Sequence, residues 1–168
     1  MISPELHRPI AVDRIGPHGH AVQIQASPAE CLAVAGRLLL PDIASIRCQF
    51  SLHLLPGGRI SAQGELQVAL SQICVVTLEP FVAVIKERFR VRFVPEGRES
   101  DDSDPESEDE IPYAGAVIDL GEAAVEQLAL TLDPYPRSPG AELPDAATGD
   151  ATSPFAALAA LRGKNQLS

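Results

Sequence analysis

Residues 81 to 94, FVAVIKERFRVRFV, carry two patterns of period two in opposite phase. Phe81, Ala83, Ile85, Phe89, Val91 and Phe93 share one face of an extended strand, and Lys86, Arg88, Arg90 and Arg92 share the other. One face is built to pack and the other is a row of positive charge. Side chains two apart on a strand stand roughly 6.6 Å from one another, so the row is able to follow successive phosphates of a nucleic acid. The same row also fits a solvated sheet face whose charges meet side chains of a neighbouring strand, such as Glu65 or Gln67.

The flanking sequence supplies the rest of a sheet. Ile46, Cys48, Phe50, Leu52 and Leu54 alternate with Arg47, Gln49, Ser51 and His53. Pro56 to Arg59 then turn the chain, and Ile60, Ala62, Leu66, Val68 and Leu70 alternate again, which predicts an antiparallel hairpin. The phase changes near Gln72, as at a bulge, before Thr77 to Pro80 turn into the basic strand. Val22 and Ile24 predict a short strand, and residues 6 to 15 are a candidate for another. Ser27, Pro28 and Glu30 form a helix start with a capping box, so a helix is expected over 28–37, ending near Gly36. Asp119 and Glu122 repeat the capping pattern ahead of an apolar stripe through Leu120, Ala124, Leu128 and Leu132.

The chain has 168 residues and a formal net charge of -10, unevenly placed. Residues 96 to 110, EGRESDDSDPESEDE, hold nine acids and one base, so the rest of the chain is nearly neutral and an anionic partner stays open. Such a run buries too little apolar surface to offset its ordering entropy and reads as a disordered loop. Residues 133–152 hold Pro134, Pro136, Pro139 and Pro144 and read as a tether. Beyond it, 153–168 opens with SPFAALAALR, a short helical pattern over 154–162 with Phe155, Leu158 and Leu161 apolar. That segment either docks on its own domain or binds a partner from a flexible arm.

No signature of catalysis is present. There is no GxSxG elbow, and the cysteines Cys31, Cys48 and Cys74 have no histidine signal beside them. Gly57 and Gly58 belong to a hairpin turn and not to a phosphate loop. His18 and His20 are too few for a metal site, so no metal, cofactor or small-molecule substrate is expected. Three cysteines without a CxxC pair favour a reducing compartment, and no apolar stretch nears the roughly 20 residues that span a bilayer. With no signal-peptide pattern at the start, a cytoplasmic, non-enzymatic protein without a membrane partner is expected.

Cys74 to Pro80, CVVTLEP, resembles the CxRCLxP turn of the YceD family, the large ribosomal RNA subunit accumulation proteins. The strand after the turn, the acidic insertion before IDLGEAAVEQLAL and the terminal SPFAALAALRGK agree in order and spacing. Cys74, Leu78 and Pro80 occupy the family positions, whereas Val76 replaces the arginine and Thr77 the second cysteine. A thiolate pair is therefore impossible in this turn. The resemblance implies a factor linked to accumulation of large-subunit (23S) ribosomal RNA.

The resulting expectation is one α+β domain over 1–132, with a curved antiparallel sheet or partly closed β-barrel and peripheral helices. Its first functional reading is ribosomal RNA binding through Lys86, Arg88, Arg90 and Arg92, with Arg47 added if its strand lies alongside. With no Trp and two Tyr, phosphate and shape recognition is expected over base stacking. The alternative is an adaptor that holds a basic large-subunit ribosomal protein through the acidic loop.

Overall fold

The computed structural model describes residues 4–99 and 108–142. Five strands form one sheet in the order β2 (His20–Gln25), β3 (Asp42–Leu54), β4 (Ile60–Ile73), β5 (Pro80–Pro95) and β6 (Asp109–Tyr113). A second, two-stranded sheet pairs β1 (Pro9–Ala11) with β7 (Val117–Asp119). Two helices, α1 (Pro28–Arg37) and α2 (Leu120–Thr131), complete an α+β architecture.

Alternation decides which side of the sheet is covered. Ile46, Cys48, Phe50 and Leu52 of β3 face the same way as Ala62, Leu66, Val68 and Leu70 of β4 and Phe89, Val91 and Phe93 of β5, and all are buried. Cys31, Val34 and Ala35 of α1 and Leu120, Ala124, Val125 and Leu128 of α2 close the core over this face. Each fully buried Leu, Ile or Phe stabilises the fold by roughly 1.5–3 kcal/mol, enough to leave the other face free for polar side chains. Gly64 interrupts the apolar row of β4 for a steric reason. A Cβ there would collide with the ring of Phe89, which meets Phe50 edge-on at 5.7 Å.

Several expectations are corrected. The sheet does not close into a barrel: β2 and β6 are its edges among the described residues. It is also mixed, because β6 runs parallel to β5, with Val91 opposite Asp109 and Pro95 opposite Tyr113. A parallel return needs about a dozen residues of connection, which the acidic run supplies. The last residues of that run, Asp109 and Glu110, are consequently strand. Its centre, 100–107, lies outside the described residues.

The bulge expected near Gln72 is absent. Register between β4 and β5 is continuous from Ile60 to Ile73, and Gln72 is a buried glutamine that keeps the inward phase. The register shift falls instead between Ile43 and Ser45. Within residues 6 to 15 only Pro9–Ala11 is strand, followed by a 3-10 turn at Val12–Arg14. The first part of the expected tether packs against the protein, since Val75 N–H donates to the Pro136 carbonyl at 2.9 Å. The helix expected over 154–162 lies outside the described residues.

Candidate nucleic-acid interface

The register places the sequence's basic row on the sheet face that neither described helix covers. Outward positions line up across strands: Gln25, Arg47, Gln67 and Lys86 in one row, and Gln23, Gln49, Glu65 and Arg88 in the next. Gln63 stands opposite Arg90, and Ser61 opposite Arg92. β3 is therefore not beside β5 but one strand removed, and Arg47 and Lys86 flank Gln67 at about 10 Å from one another. A shallow groove of about 620 Å³ runs over these rows, lined by Gln23, Arg47, Gln49, Glu65, Gln67 and Lys86 among others.

The cations differ in how they are held. Arg47, Lys86 and Arg90 are exposed and have no ion-pair or hydrogen-bond partner among the described residues. Arg88 meets Glu65 at 2.9 Å, with side chains 84% and 60% exposed. Water screens a pair so exposed, and such pairs contribute at most about 1 kcal/mol, so an incoming phosphate can replace the carboxylate. Arg92 is different. It is half-buried, lies 3.0 Å from Glu108 and 3.8 Å from Glu110, and its Nε is buried without a partner among the described residues. Of the cations named from the sequence, Arg92 is thus the one held by carboxylates and half-buried, and Arg47 shares the exposed face with Lys86, Arg88 and Arg90.

The glutamines of this face, Gln23, Gln49 and Gln67, are candidate contacts that sequence reasoning does not single out, although their alternation with apolar neighbours is the available signal. Each carries an amide that donates and accepts, suited to phosphate and sugar oxygens. Aromatic stacking is not offered here. Phe89 and Phe93 point into the core, and the Tyr113 hydroxyl donates to the Gly58 carbonyl at 2.6 Å.

The Cys74 turn stands apart from this face. Cys74 is buried, Leu78 is 76% exposed with φ 59°, and Pro80 opens β5. Hydrogen bonds from Ser138 and then Thr77 hold the Cys74 thiol down at about 6, against the opposing effect of burial. Thr77 N–H donates to its sulfur at 3.5 Å, so Thr77 closes the turn through its backbone. Burial alone pushes the Cys48 thiol up to about 12, in keeping with a core role. All three cysteines are free. Among the described residues no group of three or more His, Cys, Asp or Glu side chains is placed to hold a metal, and no helix is long and apolar enough to cross a membrane. Phe155, Leu158 and Leu161 lie outside the described residues.

A family model described as Large ribosomal RNA subunit accumulation protein YceD matches residues 62–162, more than half of the chain. The match includes β5 and the Cys74 turn. No curated protein and no solved structure matches.

Proposed function

Since the chain belongs to the YceD family, whose description ties it to accumulation of large-subunit ribosomal RNA, we propose that it serves that process by binding the RNA on the open face of its five-stranded sheet. The reading is of a binding factor without a catalytic step. Arg47, Lys86 and Arg90 are the primary phosphate contacts, and Arg88 joins them by exchanging Glu65 for phosphate. Gln23, Gln49 and Gln67 provide hydrogen bonds between the charges. One observation carries the reading: three exposed cations on a grooved polar face have no carboxylate partner among the described residues, in a chain whose formal net charge is -10. In so acidic a protein, cations gathered on one face without a carboxylate among the described residues favour an anionic partner.

Phosphate contacts release counterions, so each contributes roughly 0.7–0.9 to the slope of log affinity against log salt. Replacing Arg47, Lys86 and Arg90 together with Gln should lower the slope for large-subunit RNA by about two to three units. The melting temperature should stay unchanged within a few degrees, because all three side chains lie outside the core. Binding titrations across a salt series supply the check. An unchanged slope would remove the basic face from the account. Tight binding to a basic ribosomal protein, lost with the acidic residues 96–110, would install the adaptor reading in its place.

A further inference from the structure

A second surface lies where β4 ends. An apolar hollow of about 530 Å³ opens between the α1–β3 connection, the Cys74 turn and the residues after α2. Leu39, Ile73, Val75, Leu78 and Leu132 line it, with Gln72 and Asp133 as its polar members among Leu and Pro neighbours. Leu39 and Leu78, at its rim, are 91% and 76% exposed. Both have left-handed backbone, φ 56° and 59°, and they are the only non-glycine residues with positive φ among those described. Glycine would adopt that conformation without strain and with no apolar side chain to expose. Exposed leucines held this way around an apolar hollow mark a surface that is covered when the protein works.

The chain itself indicates the occupant. After α2 the backbone is pinned at the hollow, where Pro136 forms part of the lining and accepts from Val75 N–H. The described residues end at 142, and Phe155 lies thirteen residues further on. A connection of that length reaches up to about 45 Å and keeps the carboxy-terminal segment near the hollow at an effective concentration on the order of millimolar. The sequence it delivers, SPFAALAALRGK, presents Phe155, Leu158 and Leu161 at helical spacing, with Arg162 able to meet Asp133 at the rim. So short a helix is not stable alone and needs a surface. The family match runs through the Cys74 turn and the residues after α2 and ends at residue 162, while Leu39 lies before it.

We propose that this hollow is the docking site of the chain's own residues 153–164, with Phe155, Leu158 and Leu161 packing against Leu39, Val75 and Leu78. The docking is intramolecular and does not depend on the basic face, whose cations lie elsewhere on the sheet.

The test uses the full chain with labelled methyl groups and the double substitution L158E/L161E. Methyl resonances of Leu39, Val75 and Leu78 should shift, those of the core residue Leu52 should stay in place, and fluorescence of an apolar dye should rise at least twofold. A peptide of residues 150–165 added to the double variant should return the shifted resonances towards their original positions. The reciprocal substitution Leu78→Gln should move the Phe155 ring resonances, with Leu52 again reporting an intact core. Rim methyls indifferent to L158E/L161E would overturn the proposal. So would shifts in the unsubstituted chain that disappear on tenfold dilution, since the occupant would then be a second copy.

Discussion

Asp119 and Glu30 show how single side chains tie the amino-terminal segment to both helices. Asp119 caps α2 by accepting from Gly121 and Glu122 N–H at 2.9 and 3.3 Å, and it also accepts from Arg8 N–H and pairs with His7. Glu30 completes the capping box with Ser27 and receives both guanidinium nitrogens of Arg8 at 2.7 and 2.9 Å. The box is legible in the sequence because its members are three residues apart. Arg8 is not, because it lies 22 residues away and only the fold brings it there. Distance also corrects the second box, where Glu122 turns from the cap to Arg37 at 2.7 and 3.0 Å. Arg8, with the Ser27 N–H, holds the Glu30 carboxyl at about 2, below its usual 4.5. A carboxyl depressed in the folded state stabilises fully above 4.5, and that stabilisation is lost as pH falls towards 2. The melting temperature should accordingly drop across this window. E30Q should flatten that part of the curve and cost about 1 kcal/mol at pH 7, the difference between a charged and a neutral hydrogen-bond partner. Thermal melts from pH 2 to 7 make the comparison, and an identical pH profile for E30Q would remove Glu30 from the account.

At the scale of elements, β5 is the most legible part of the chain, because Arg88 to Phe93 alternate cleanly and pair with β4 in one continuous register, although Glu87 falls in the apolar phase and Val82 and Val84 in the polar one. β4 is harder to read. Gln72 looks like a change of phase in the sequence, although a glutamine can be buried where the strand's register demands it. β6 escapes sequence reasoning altogether, because acidic composition marks a solvated run and says nothing about which residues return to an edge. That edge bears on function. Glu108 and Glu110 approach Arg92 and hold it apart from the exposed cations, so on the proposed reading the acidic connection would compete with phosphate at one end of the face. Replacing both with Gln should release Arg92 and raise the salt slope of RNA binding by roughly 0.7–0.9, with affinity rising at least several-fold at low salt. Binding isotherms at low and moderate salt distinguish this from no effect. An unchanged slope would show that Arg92 is fixed by the packing of its stem and not by the two carboxylates.

The described residues divide into a helical side that closes the core and a sheet face that neither helix covers, polar apart from the exposed Val82 and Val84. The α+β class and the outward placement of Lys86, Arg88 and Arg90 come from periodicity, which is local. The order of strands does not, and neither does the sideways position of Arg47, because both depend on pairings between distant residues. The central claim is that the open sheet face meets large-subunit RNA. A photoreactive amino acid placed at Gln67, in the middle of the groove, tests it in cells when compared with one at Ala33 on the exposed side of α1. RNA crosslinks are expected from position 67, enriched in large-subunit sequence, and few from position 33. Equal yields of RNA at the two positions, or a ribosomal protein in place of RNA at position 67, would contradict the claim.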